Sequence, residues 1–144
     1  MTRILAARIL AILLAVGPVA ALAACPHDVE TCRTDEPFAV LSAADLALSA
    51  GGDTVYELAL LGVPMLVLCH VSHQLETAAA FAAEGAAENL GLVSECTDSQ
   101  LAAAIGRLVR DAQRRRAYSQ RGRELVDGGG RVRVAEHIRR LLAS

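Results

Sequence analysis

From residue 36 onward, short and long apolar segments alternate along the chain, with turn residues between them. Short apolar runs predict buried strands, and longer segments with helical spacing predict helices. Strands that alternate with crossover helices are typical of an α/β fold with a parallel, doubly wound sheet. The predicted strands span residues 44–50, 63–69 and 87–93, and the predicted helices span residues 54–62, 72–85, 97–110, 111–126 and 131–143.

Several ends of the predicted helices carry residues that are typical of helix caps. Gly62 is expected to end the first helix. Ser72 and Gly85 are expected to begin and end the second. Thr97 and Gln100 have the spacing of a capping box, which predicts the start of the third.

Composition narrows the class of protein. The chain has 144 residues, enough for one domain with a sizeable core, and 53% of them are hydrophobic but only 3% aromatic. The core is therefore expected to be aliphatic, which suits helices packed on a buried parallel sheet. The formal net charge of −2 gives no overall attraction to nucleic acid, so no nucleic-acid partner is expected.

Arginine is concentrated near the carboxyl end of the chain. Eleven of the arginines lie in residues 107–140, and lysine is absent. This segment could contact an anionic membrane surface or an acidic partner. The alternative, solvated faces of helices, is favoured because the arginines are spread around the helical wheel rather than collected on one stripe.

Four cysteines and four histidines occur in the chain. No pair has Cys-x-x-Cys spacing, and no histidine spacing suits a zinc site. Reduced, mostly buried thiols are therefore expected. Neither a metal nor a cofactor is predicted.

The first 28 residues have two incompatible interpretations. The apolar run that ends in Leu22-Ala23-Ala24-Cys25 resembles a lipoprotein export signal cleaved before the cysteine. It can also be read as the first elements of the domain, with a helix over residues 4–16, a stop at Gly17-Pro18 and a strand over residues 19–24. The second reading is favoured, and it divides the chain into an N-terminal segment, 1–28, and a main domain, 29–144.

The stretch that carries candidate chemistry begins where the first predicted strand of the main domain ends. Gly51 and Gly52 have no side chains, so a ligand can approach the backbone there. The helix that follows presents unpaired N–H groups and a positive dipole, which favour an anion such as a diphosphate. The Thr54 hydroxyl could bind a phosphate oxygen, and Glu57 could accept two ribose hydroxyls. As an alternative, Thr54 and Glu57 could form a capping box that only satisfies backbone donors.

An ordered set of motifs resembles the C-terminal nucleotide-sugar-binding domain of GT-B proteins, in particular glycosyltransferase family 28 and the related UDP-sugar hydrolases of pseudaminic acid synthesis. The similarity covers about residues 29–142, and the last two motifs are closer to the hydrolases. In chain order the motifs are Gly51-Gly52-x-Thr54-x-x-Glu57-Leu58, Gly62-x-Pro64, His73-Gln74, Asn89-Leu90-Gly91 and residues 124–134.

The resemblance implies a single Rossmann-like domain, the C-terminal half of a GT-B fold, that binds a UDP-sugar. It implies that the glycine loop and Thr54 hold the diphosphate, that Glu57 binds the ribose, and that Gln74 and His73 face the sugar. A solvated helix start at residues 72–74 is the alternative for the last pair. Family glycosyltransferases often have asparagine where this chain has Thr77, so a transferase-type sugar contact is in doubt.

The resemblance also implies what the 144 residues lack. Relatives close two domains over the substrate and carry the catalytic base on the N-terminal one, so no catalytic residue is assigned, and a separate N-terminal-half chain is an expected partner. The activity would be hydrolysis or glycosyl transfer in the cytoplasm, where nucleotide sugars are made. The alternatives are a non-catalytic remnant or interaction module, and an exported lipoprotein.

Overall fold

The structure, a computed structural model, describes residues 9–12 and 37–143. Its strands form one parallel sheet in which each strand pairs with the next along the chain. The strands are β1 (Ile9–Ile12), β2 (Leu46–Ser49), β3 (Met65–Cys69) and β4 (Ala87–Leu92). The helices are α1 (Pro37–Ser42), α2 (Thr54–Leu61), α3 (Gln74–Ala83), α4 (Asp98–Arg110), α5 (Ala112–Leu125) and α6 (Gly130–Leu142).

Successive side chains of the two central strands enter different cores because strand residues alternate between the faces of a sheet. One core joins Ala47, Met65 and Val67 to residues of α2 and α3. The other joins Leu46, Leu48 and Leu66 to residues of α4 and α5. The sheet is thus covered by helices on both faces, which explains why its strands read as continuous apolar runs.

Strand β4 lies at one edge of the sheet that the described residues form, and it contains a bulge. Val67 pairs with Asn89 and Cys69 pairs with Leu92, so β4 has one residue more than β3 over this stretch. Gly91 lies in the left-handed region with φ of 79°. Its N–H donates to Asn89 Oδ1 at 2.9 Å, which occupies a donor in the bulge.

The last helix differs from the others in its burial. None of the residues of α6 is buried, and Val134 and Leu142 are 59% and 84% exposed. Asp127 forms an ion pair with Arg133 and so joins the preceding loop to this helix. No helix in the described part of the chain is long and apolar enough to cross a membrane.

The predicted fold class is confirmed, as are the strands and helices predicted from residue 44 onward, with shifts of a few residues at their ends. The short helix α1 was not predicted. Ser72 does not cap α3, because His73 is the N-cap residue and makes no side-chain cap bond. The capping box of Thr97 and Gln100 is confirmed, with both of its reciprocal hydrogen bonds present.

The predicted helix over residues 4–16 is wrong within residues 9–12. These residues form β1, and Ile9 pairs with Leu46 of the buried strand β2. A continuous apolar run suits a buried strand as well as a helix, and pairing with the sheet satisfies its backbone here. The predicted stop at Gly17-Pro18, the strand over residues 19–24 and the export signal before Cys25 lie outside the described residues.

Candidate nucleotide-sugar site

The candidate site lies at the carboxyl edge of the sheet, where ligands bind in open α/β folds. Strand β2 ends at Ser49, residues 50–53 form a tight loop, and α2 begins at Thr54. The neighbouring strand β3 ends at the same edge with Cys69, and residues 70–73 lead into α3. The two loops predicted to hold the diphosphate and the sugar are therefore adjacent.

The two glycines of the first loop have different surroundings. Gly51 is buried, and a Cβ added there would lie 2.6 Å from the carbonyl oxygen of Gln74 and 3.2 Å from Cys69 Sγ. A Cβ added at Gly52 would meet nothing within 4 Å. Gly51 is thus needed for the packing of α3 against the loop, and only Gly52 leaves space for a ligand.

The start of α2 has no side-chain cap. Asp53 is the N-cap residue, its backbone is in the helical region, and its side chain makes no cap bond. The first backbone bonds are of the tight i to i−3 type, from Val55 N–H to Gly52 O at 3.2 Å and from Tyr56 N–H to Asp53 O at 3.0 Å. Among the described residues, the N–H groups of Asp53 and Thr54 donate to no backbone acceptor. Such free donors at a helix start favour an anion.

The capping box considered for Thr54 and Glu57 is not present. Thr54 is the first residue of α2 rather than its N-cap, and neither side chain makes a hydrogen bond within the described part of the chain. Thr54 is 8% exposed, whereas Glu57 is half-buried. Positions three apart lie on the same side of a helix, so the two oxygen-bearing side chains are neighbours beside the glycine loop.

The second loop is held by the side chain of Gln74. Its Oε1 accepts a hydrogen bond from His70 N–H at 2.8 Å, which joins the first residue of the loop to the first residue of α3. His73 is exposed, whereas Gln74 is half-buried. The structure therefore brings Gln74 next to the glycine loop and places His73 at the surface of the same edge.

Sequence reasoning missed the part that Cys69 plays in this edge. Its side chain is fully buried, and its Sγ lies beside Gly51. Burial raises the pKa of the Cys69 thiol, and a backbone hydrogen bond from Gly51 partly offsets that rise. Because the neutral thiol is favoured, Cys69 packs the two loops together and is not activated as a nucleophile.

Two cavities formed by the described residues lie away from the glycine loop. One, of about 370 Å³, lies between β4 and α4 and includes Cys96 and Arg107. The other, of about 340 Å³, lies beside Pro64 and α5, at the amino edge of the sheet.

A parallel α/β domain with an uncapped helix start after a glycine loop defines a class of phosphate-binding proteins. Within it, residues 28–128 match the model of the glycosyltransferase family 28 C-terminal domain. The chain belongs to this family. The match covers the glycine loop, Glu57, His73 and Gln74, and it ends before α6.

Two relatives agree with this assignment. The chain is 40% identical over 102 residues to the spore coat polysaccharide biosynthesis protein SpsG of Bacillus subtilis (strain 168), a match that covers 71% of this chain and 30% of that protein. A solved structure of the glycotransferase of kitacinnamycin is similar with a TM-score of 0.64 and 29% identity, over 87% of this chain and 32% of that one. The chain thus spans about a third of the length of either relative. Its fold is that of a Rossmann-like C-terminal domain of a GT-B protein.

Proposed function

We propose that this chain is the part of a GT-B enzyme that binds a UDP-sugar. The diphosphate lies on the glycine loop and the start of α2, Glu57 accepts the ribose hydroxyls, and Gln74 with His73 faces the sugar. The observation that carries the proposal is the pair of free N–H groups at Asp53 and Thr54 beside the open space at Gly52, in a chain of this family. No metal is needed for this mode of binding, because helix N–H groups and the dipole stabilise the charge.

The chemistry that this site supplies is stabilisation of the leaving group. When the bond between the sugar and the diphosphate breaks, negative charge grows on the diphosphate, and preorganised N–H donors stabilise it. The same donors serve hydrolysis and glycosyl transfer, since both release the diphosphate. We favour hydrolysis of a UDP-linked amino sugar because Thr77 stands where transferases often have asparagine. Release of free sugar with water alone, in the two-domain enzyme, distinguishes it from transfer.

The base and the acceptor site belong to a second, N-terminal domain, present as a separate chain or as further residues of this protein. Helix α6 supports this part of the proposal. Val134, Ile138 and Leu142 are spaced four residues apart and form an exposed apolar stripe, with exposures of 59%, 50% and 84%.

The docking surface can be tested with two valines of α6. Val134 and Val132 are about equally exposed, at 59% and 56%, but lie on different faces, since two helical positions differ by about 200°. With the N-terminal part of SpsG supplied as a separate chain, we expect Val134→Glu to abolish co-purification and Val132→Glu to retain it. Equal effects of the two variants, or α6-dependent binding to anionic vesicles instead, would contradict this docking.

Nucleotide binding itself is tested by calorimetry with UDP. We expect Glu57→Ala to weaken UDP binding at least tenfold, because two hydrogen bonds from the ribose hydroxyls to a charged carboxylate are lost. A tenfold loss of affinity corresponds to about 1.4 kcal/mol. Glu136→Ala, which removes an exposed glutamate of α6, is the matched control for charge. Unchanged binding by folded Glu57→Ala refutes the ribose role. No UDP binding by the wild-type chain favours the non-catalytic module instead.

We also propose a cytoplasmic location, because nucleotide sugars are made there. The competing possibility, an exported lipoprotein, predicts a mature chain that begins at Cys25 and carries lipid. Mass spectrometry of the protein from its native cells separates the two, since the cytoplasmic form keeps residues 1–24 and has no lipid.

A further inference from the structure

The cavity of about 340 Å³ at the amino edge of the sheet lies at the opposite end of β2 from the glycine loop. Part of its lining comes from one face of α5, where the contributing positions are three or four residues apart. These residues are Ala112, Arg115, Arg116 and Ser119. The rest of the lining includes Asp45, just before β2, and Pro64, just before β3. Helix α5 therefore brings two guanidinium groups and a hydroxyl to a concave surface that the proposed nucleotide site does not use.

The guanidinium of Arg115 is held in place without being neutralised. Its Nη1 donates to the backbone carbonyls of Leu108, at 2.7 Å, and Val109, which fixes it against the end of α4. Arg115 is half-buried, and it forms no salt bridge with any described residue. A guanidinium carries five N–H donors, and within the described part of the chain those on Nε and Nη2 have no acceptor. A half-buried cation with free donors and only neutral partners favours an anion.

Arg116 and Ser119 add donors to the same surface. Arg116 is exposed and Ser119 is half-buried, and neither side chain makes a hydrogen bond or a salt bridge with the residues that the structure describes. Because Ala112 is the first residue of α5, the positive end of the helix dipole also lies at the cavity. Asp45 is the carboxylate in the lining, so the cavity carries two positive charges against one negative charge.

We propose that this cavity binds a phosphate group, either free or carried by a small metabolite, at a site separate from the nucleotide surface. Phosphate oxygens accept hydrogen bonds from the planar fork of arginine, from hydroxyl groups and from the start of a helix. All three kinds of donor meet in this cavity. The site is independent of the proposed function, because none of its residues belongs to the glycine loop. A bound phosphate would join α5 to the loops before β2 and β3.

NMR of the full chain, with inorganic phosphate as the probe, tests this site. As phosphate replaces chloride at constant ionic strength, we expect saturable shifts of the Ala112 and Gln113 amide resonances and of the Arg115 Nε–H resonance. Arg116→Gln should weaken this binding about tenfold, because it removes a charge-assisted contact. Arg139→Gln is the matched control, since it removes the same charge from an exposed position of α6 outside the cavity. It should change the affinity by less than about twofold, because exposed charges far from the ligand are screened by salt.

Three results would overturn the phosphate site. Shifts that never saturate, or an equal loss of affinity in the two variants, would reduce the effect to general charge attraction. Phosphate-dependent shifts at Asp53 and Thr54 alone would place the anion on the glycine loop instead. If the α5 resonances shift but UDP does not bind, the phosphate site stands and the proposed function fails. If UDP binds and the α5 resonances do not respond to phosphate, the nucleotide site stands and the phosphate site is wrong.

A second titration identifies the source of the phosphate group. Glucose 6-phosphate replaces inorganic phosphate, and the same α5 resonances are followed. Tighter binding of the sugar phosphate supports a phosphorylated metabolite as the ligand, and tighter binding of inorganic phosphate supports free phosphate.

Discussion

Two adjacent glycines of the same loop have separate roles at the scale of single residues. Gly51 allows α3 to approach, and Gly52 leaves open space above the loop. From the sequence alone, both glycines were predicted to admit a ligand. A loop glycine indicates that some group comes close to the backbone, but it does not show whether that group is a ligand or another part of the protein. The contact between Gly51 and Gln74 joins positions 23 residues apart and depends on the assembled sheet, so no local pattern reveals it.

Alanine substitutions separate these two roles. We expect Gly51→Ala to lower the free energy of unfolding by about 1–3 kcal/mol, because the methyl group overlaps the Gln74 carbonyl and α3 must shift. Gly52→Ala should change it by no more than about 1 kcal/mol, since nothing lies near the added methyl group. Urea denaturation measures both.

UDP affinity provides the complementary measurement. Gly52→Ala is expected to weaken binding while the fold is unchanged, because the methyl group occupies the space proposed for the diphosphate. A Gly51→Ala protein as stable as wild type would contradict the packing role assigned to that residue.

At the scale of elements, the sequence predicted best the helices whose ends are marked by local chemistry. The capping box of Thr97 and Gln100 located α4, and Gly62, with φ of 69°, located the end of α2. The six-residue helix α1 was missed because fewer than two turns are too short to show a helical period. Strand β1 was mistaken for a helix because its identity comes from pairing with β2, which is a tertiary contact.

Edge strand β4 is joined to α4 and α5 through one carboxylate. Glu88 is 16% exposed, its Oε1 accepts from Arg107 at 2.7 Å, and Arg114 lies 3.7 Å from Oε2. Glu88 Oε2 is buried and has no hydrogen bond. The carboxylate is thus only partly satisfied, and Arg107 is its close partner.

Removal of that arginine should therefore be costly. We expect Arg107→Ala to destabilise the protein by about 1–3 kcal/mol, because it leaves a largely buried charge without its close partner. Adding Glu88→Gln to this variant should restore part of the loss, since the charge is then absent. Arg110→Ala, at an exposed position of the same helix, is the control and should change stability by about 0.5 kcal/mol or less. Thermal unfolding of wild type, Arg107→Ala, the double variant and Arg110→Ala measures these differences in stability.

At the scale of the whole molecule, this chain spans about a third of the length of the two relatives, and helix α6 has no buried residue. The fold class, the loop order and the family could be read from the sequence. The exposure of α6 could not be predicted. An amphipathic pattern predicts that the apolar face of a helix is buried, but it does not identify the surface that covers this face.

The ion pair between Asp127 and Arg133 joins α6 to the loop before it. Its contribution to stability is expected to depend on pH. Arg133, through its side-chain hydrogen bonds, and then the Gly129 N–H lower the pKa of Asp127 from 3.8 to about 2. A lowered pKa means that the pair contributes its stability above pH 4 and loses it as pH falls through 2. The effect should be small, because both side chains are largely exposed.

Carbon-13 NMR of the Asp127 carboxyl measures this pKa directly. Hydrogen exchange in the first turn of α6, corrected for intrinsic rates, should rise as pH is lowered from 4 to 2, and Asp127→Asn should remove that dependence. A carboxyl that titrates near 3.8 would show that the contact with Arg133 does not persist in solution.

The bulge in β4 is expected to limit aggregation of the protein at high concentration. An open edge strand can recruit a strand from another molecule, and the outcome is ordered aggregation. Here the extra residue increases the twist of the edge, and the Gly91 N–H already donates to Asn89 Oδ1 within the strand. The bulge therefore opposes fibril growth by addition of strands at this edge.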